Sequence, residues 1–160
     1  NQHNIKHNNR KAEFALRDLE FLTVSKAVEN GEIAKDDKIR PLYEDLLLNQ
    51  FHDILPGTCI NSAHKLSLEQ TNKLLETAGK LIDEAVSGEG EYVTVTNTLS
   101  FDRNDPIFLE CEEGYVADCA CRQQTYKNLD GKNILIISGI TVPAGVKVAA
   151  GVQVDENTEY

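Results

Sequence analysis

Between Asn49 and Thr58 the chain reads Asn49-Gln50-Phe51-His52-Asp53-Ile54-Leu55-Pro56-Gly57-Thr58, or NQFHDILPGT. This stretch closes one leucine-rich segment and opens the next, so its reading decides the fold. Upstream, Ile39, Leu42, Tyr43, Leu46 and Leu47 recur at helical spacing and predict an amphipathic helix, with Tyr43, Leu46 and Leu47 as core positions. Asp36 or Asp37 can cap that helix, and Pro41 falls in its first turn, where a missing N–H costs nothing. The helix runs into Phe51-His52-Asp53 and must end by Pro56-Gly57, because proline and glycine both break it there. A packing helix has no need of a His-Asp pair at its tip; a site does.

Working outward, Thr58 is the expected N-cap of a further helix with Ala63, Leu66, Leu74, Ala78, Leu81, Ile82 and Ala85 on one stripe, stopped by Gly88. Toward the N-terminus, Ala12, Ala15, Leu16, Leu19, Leu22 and Ala27 predict a helix from about residue 8 to 29, with Asn30-Gly31 as its left-handed stop. Three helices with short connections, each apolar on one face, bury those faces together as an antiparallel three-helix bundle over residues 1–88. After Gly88-Glu89-Gly90 the period changes. Val93 and Val95 alternate with Thr94 and Thr96, and further strands are expected at Ile107–Cys111, Gln124–Lys127, Asn133–Ile137 and Val146–Val154, with Asp130-Gly131 as a hairpin turn. The fold class is therefore α+β: the bundle, then the first strands of a β-sandwich over residues 89–160.

The 160 residues, 26% charged and 41% hydrophobic, suit an ordinary globular chain of one or two domains. A net charge of −10, with basic residues scattered among acids, argues against DNA or RNA as a partner. No apolar run approaches the roughly 20 residues that cross a bilayer, so a membrane is not expected as a partner. The chain starts at Asn1 and contains no methionine, which reads as a piece of a longer protein. Cys59, Cys111, Cys119 and Cys121 match no common zinc spacing and are too few for a disulfide framework, so they read as thiols in a reducing compartment.

Adjacent helical residues point about 100° apart, so His52 and Asp53 do not share a helix face. Both can still reach a ligand lying off the helix end. Imidazole suits Zn²⁺ and a carboxylate accepts hydrogen bonds from sugar hydroxyls, but one His supplies only one of the three or so protein ligands of a catalytic zinc. The alternative is structural: a His at a helix C-terminus favoured by the dipole, then an Asp that begins a turn. His64 beside the third stripe reads as a packing or solvent-facing residue, and His3 and His7 as a pair in a fraying, Asn-rich terminus. Glu110, Glu112 and Glu113 read as a solvated strand end.

The segment Leu46-Leu47-Leu48-Asn49-Gln50-Phe51-His52-Asp53-Ile54-Leu55-Pro56-Gly57-Thr58 closely resembles the signature of the α-mannosidases of glycoside hydrolase family 38, at the start of their central three-helix domain. Asn9-Arg10-Lys11-Ala12-Glu13-Phe14 is similar to the segment that opens those helices, and Val93–Phe101 (VTVTNTLSF) to the run into the β-domain. The resemblance implies that His52 is a ligand of a catalytic zinc and that Asp53 contacts hydroxyls of bound mannose. It implies a retaining hydrolysis of terminal α-linked mannose in oligosaccharides, through an Asp nucleophile and a covalent glycosyl-enzyme. That nucleophile, the acid/base and the other zinc ligands would belong to an N-terminal catalytic domain, a partner this chain lacks, so no catalytic residue is assigned here and the piece alone is expected to be inactive. Phe51 before His52 resembles the bacterial and cytosolic type, which implies a cytoplasmic location; a homo-oligomer is compatible with all of this. The rival reading is a non-catalytic helical interaction module joined to a β-domain, with His52-Asp53 as a structural turn.

Overall fold

Helical periodicity governs the first half of the chain: α1 spans His3–Asn30, α2 Arg40–Asn49 and α3 Asn61–Val86. The computed structural model describes residues 3–86, 93–117, 119, 121–145, 147–150 and 154–155. The chain divides into two compact units, Asn1–Ser87 and Gly88–Tyr160.

α1 stops where the sequence places its stop. Gly31 takes a left-handed φ of +68°, its N–H donates to Val28 O and that of Glu32 to Ala27 O, so the last carbonyls of the helix are satisfied. Its start differs from expectation: the Asn-rich segment is already helical from His3, because Ile5 is fully buried and extends the apolar stripe by two turns. α2 also begins differently. The cap position is Ile39 and has no side-chain cap; Asp36 instead accepts the backbone N–H groups of Ile39 and Arg40 through its carbonyl, while its carboxylate binds the Arg40 guanidinium. α3 starts at Asn61 rather than beside Thr58, whose hydroxyl closes the preceding turn by donating to Asp53 O at 3.2 Å.

α2 runs antiparallel to α1, pairing Gln50 with Glu13 and Tyr43 with Glu20, while α3 runs alongside α1, with Asn8 bonded to Thr71 and Asn72. Ala12, Leu16, Leu19, Ile39, Leu42, Leu46, Leu74 and Ala78 form one buried apolar cluster, with Tyr43, Leu81 and Ile82 packed against it. Two expected core residues lie outside: Leu47 is 63% exposed and Leu66 53%. In α2 the buried stripe is Leu42, Leu46 and Asn49, at steps of four and three, and Leu47 lies one residue round from it. In α3 Ser67 and Thr71 take the buried places, and Leu66 is turned out by the same geometry.

In the second unit the strands are β1 (Val93–Thr96), β2 (Ile107–Cys111), β3 (Val116–Ala117), β4 (Arg122–Lys127), β5 (Asn133–Ser138), β6 (Lys147–Ala150) and β7 (Val154–Asp155). The short β3 is additional to the strands expected from the sequence, and Val146 and 151–153 of the last expected strand lie outside the described residues. All pairings are antiparallel: β2-β5-β4 as one sheet, with β1-β6 and β3-β7 as separate pairs. Leu135 and Ile137 of the central strand β5 are buried against Ile107, Leu109 and Ala117. Between β4 and β5, Asn128 Oδ1 accepts the N–H groups of Asp130 and Lys132, and Gly131 supplies the positive φ the turn requires. Asn97, in the VTVTNTLSF run, is buried and donates to the carbonyls of Phe101, Val142 and Pro143. The expectation of four thiols is corrected: Cys119 and Cys121 are joined by a disulfide, their Cα atoms 5.2 Å apart and so within bridging range, while Cys59 and Cys111 are free.

Candidate functional site

α2 ends at Asn49, and Gln50 is its C-cap with φ −85° and ψ 3°. His52 and Asp53 therefore sit three and four residues past the end of the helix, in a turn, rather than on its last helical residues. The turn is closed by short-range bonds: Ile54 N–H and Leu55 N–H to Phe51 O, Gly57 N–H to Ile54 O, and Thr58 N–H to Asp53 O at 3.1 Å. Gly57 has φ +83°, a conformation that an L side chain resists, and this lets the chain double back after Pro56.

The turn carries its two polar side chains outward. His52 is 76% exposed and Asp53 59%, and His52 Nε2 lies 3.5 Å from Asp53 Oδ2. The Phe51 ring packs against the imidazole, ring centroids 4.2 Å apart. Thr58 Oγ1 lies within hydrogen-bond reach of Asp53 Oδ1, which leaves Oδ2 toward His52 and solvent. An exposed imidazole with a carboxylate beside it has the chemistry of one zinc ligand next to a hydrogen-bond acceptor. Among the described residues no group of three or more His, Cys, Asp or Glu could hold a metal ion.

Behind the turn lies a polar cluster that hydrophobic periodicity does not reveal. Glu13 Oε1 accepts from Asn9 Nδ2 and from Gln50 Nε2, both at 3.0 Å, and Glu13 Oε2 accepts from Arg10 Nη1 at 2.7 Å. The Arg10 guanidinium holds the Glu13 carboxyl below the usual carboxylate range; partial burial opposes this, and the amides of Asn9 and Gln50 add to it. Asn49, only 1% exposed, donates to Asp45 O and to Gln70 Oε1. Lys6 reaches Pro56 O at 3.5 Å on the far side of the turn. The available signal is polar residues standing on apolar stripes, Asn9 between Ile5 and Ala12, and Asn49 three after Leu46.

The other candidates stand apart. His3 and His7 are exposed and stack at 5.7 Å on a formed helix, not a frayed end. His64 is half-buried, with Nε2 lacking a protein partner. Glu110, Glu112 and Glu113 are exposed, Glu110 bonded to Lys132 Nζ. A cleft of about 400 Å³ opens at the opposite end of the bundle, lined by residues such as Leu19, Lys26, Ile33 and Leu81, and contains none of the expected site residues.

The family model described as "Alpha mannosidase middle domain" matches residues 1–88, the whole helical unit and the turn within it. The chain belongs to the α-mannosidase middle-domain family. An α-mannosidase of Saccharomyces cerevisiae is 29% identical over 109 residues, covering 64% of this chain and 10% of the yeast protein. A solved structure of a glycosyl hydrolase family 38 protein from Enterococcus faecalis superposes with a TM-score of 0.56 at 14% identity, over 88% of this chain and 22% of that one. The second likeness concerns fold. This α-mannosidase-family chain thus spans a small part of the length of each relative.

Proposed function

We propose that the chain is the helical middle segment and first β-strands of a zinc-dependent, retaining α-mannosidase acting on terminal α-linked mannose of oligosaccharides. His52 is a zinc ligand through Nε2, and Asp53 lies beside the ion and accepts hydrogen bonds from sugar hydroxyls. The observation that carries this reading is the exposed His52–Asp53 pair, 3.5 Å apart, on the turn of a bundle matched by the α-mannosidase middle-domain family. A bound zinc would act as a Lewis acid and template, holding hydroxyls of the ring as it distorts toward an oxocarbenium-like geometry.

This chain's own part is presentation. Thr58 holds Asp53 from behind, Phe51 flanks the imidazole, and the turn projects both groups beyond the bundle. The remaining zinc ligands, the nucleophile and the acid/base come, in this reading, from an N-terminal catalytic domain of the intact protein, so the 160-residue chain alone is inactive. The same reading places the intact protein in the cytoplasm, supported by the resemblance carried by Phe51. The rival, a helical interaction module with a structural His-Asp turn, calls for His52 packed on its own bundle; its exposure supports the site reading.

The test is zinc content and aryl α-mannoside hydrolysis of the intact protein, wild type against His52→Ala, with folding of both verified by circular dichroism. Joint loss of zinc and hydrolysis is the expected result. Unchanged zinc and hydrolysis would return His52 to a structural role.

A further inference from the structure

The bonds inside the 51–58 turn run from one turn residue to another, so they close the turn on itself, while its anchorage to the bundle, and with it the persistence of those bonds, depends on contacts at its ends. Direction is set where the turn meets the helices. At its start the side chain of Gln50 donates from Nε2 to Glu13 Oε1 across the interface between α2 and α1. Glu13 is itself held: Asn9 donates to the same oxygen and Arg10 to the other. An ionised acceptor with several donors forms stronger and better-defined hydrogen bonds than a neutral one, and here it stands on a helix of 28 residues. One residue back, Asn49 ties α2 to Gln70 of α3. At the far end Lys6, seven residues before Glu13 and so two turns along the same face of α1, reaches Pro56 O.

We propose that Glu13 and Gln50 are positioning residues, whose hydrogen bond aims the His52–Asp53 turn. That the turn must be aimed at zinc and sugar rests on the function proposed above; the aiming itself rests on the contacts just described. Groups that orient a metal ligand without touching the metal matter because a displacement of about 0.5 Å degrades a site, and their loss typically costs about 10–100-fold in metal affinity.

Gln50→Glu places a second carboxylate against Glu13 and replaces attraction with repulsion. The double variant Glu13→Gln/Gln50→Glu restores the bond with its polarity reversed, since the amide then stands on α1 and donates to a carboxylate at the end of α2. It separates pairing from mere bulk. In the 160-residue chain, amide hydrogen exchange at Ile54, Leu55, Gly57 and Thr58 should speed up about tenfold or more in Gln50→Glu, with Leu16 and Leu74 amides unchanged, and should return toward wild type in the double variant. Gln50→Ala, which removes the bond without adding charge, is expected to act in the same direction and serves if Gln50→Glu does not fold. Unchanged turn amides, or an equal rise in turn and core, would overturn the proposal.

In the intact enzyme the expected result is a zinc Kd raised about tenfold by Gln50→Glu and recovered in the double variant. Zinc lost in His52→Ala but untouched by Gln50→Glu would sink the positioning role alone. Zinc untouched by His52→Ala would sink the site reading while leaving the exchange result to judge the turn.

Discussion

The two ends of the helical bundle are built differently. Away from the turn, α1, α2 and α3 meet through Leu16, Leu19, Ile39, Leu42, Leu74 and Ala78, an apolar contact with one stripe per helix. Toward the turn the same stripes carry Asn9, Asn49, Ser67 and Thr71, all buried, with Glu13, Gln50 and Gln70 bonded among them. Among the described residues, the buried polar atoms lacking a protein partner (Asn9 Oδ1, Asn49 Oδ1, His64 Nε2 and Ser67 Oγ) all belong to this second end. Each such atom costs stability, and an apolar side chain would avoid that cost. One end of the bundle is made for cohesion. The other gives some cohesion up, and what it holds is the turn with His52 and Asp53.

That contrast can be broken from either side. The largest effect belongs to the apolar end: Leu74→Ala, at a site 1% exposed, should cost about 2–5 kcal/mol, read as a lower denaturant midpoint. Turn amides should keep their exchange rates relative to the core under native conditions; selective loosening of the turn would mean that the two ends are not distinct. Next comes Gly57→Ala, which forces an L side chain to φ +83° and should cost about 1–2 kcal/mol by the same measurement. A cost near zero would mean that the turn relaxes freely and is not held.

At the polar end the effects are smaller and have characteristic signs. Glu13 has its pKa lowered in the folded state, so its stabilising contribution is present above the ordinary carboxylate pKa and is lost as pH falls through the lowered folded value. Asp36, Glu76 and Asp105 shift in the same direction beside Arg40, Lys80 and Arg103, so wild type alone does not isolate Glu13. Glu13→Gln should therefore be less stable than wild type at neutral pH, with the gap closing in the acid range; a gap independent of pH would contradict the ionised Glu13 network. The smallest change is a gain. Ser67→Ala removes a buried hydroxyl without a protein partner and improves helix propensity, and should raise the melting midpoint by an amount equivalent to about 0.5–1 kcal/mol.

The apolar end is legible in the sequence and the polar end largely hidden, for one reason. Hydrophobic periodicity finds a helix face through its apolar residues, so it identifies Leu42, Leu46, Leu74 and Ala78, and turn chemistry adds the Gly31 stop. Where the face turns polar, the same method counts the nearest leucine instead. It therefore places Leu47 and Leu66 inside, while Asn49 and Ser67 hold those positions. Thr58 reads as a cap because its type suits one; its hydroxyl serves Asp53, a tertiary detail of the turn that propensity does not encode. The His52–Asp53 segment is legible through family resemblance, but its geometry is not. Helical spacing separates neighbouring side chains, and only the chain's departure from the helix after Asn49 lets the pair approach to 3.5 Å.

The most direct measurement is bound zinc per chain in the intact protein, comparing His52→Ala with His64→Ala, a half-buried histidine of the same end of the bundle. The account predicts that His64→Ala keeps its zinc, about one ion per site as for a catalytic centre, and that folded His52→Ala loses it. Zinc retained in His52→Ala would contradict the account, because the exposed turn that the polar end holds would then hold nothing for the site.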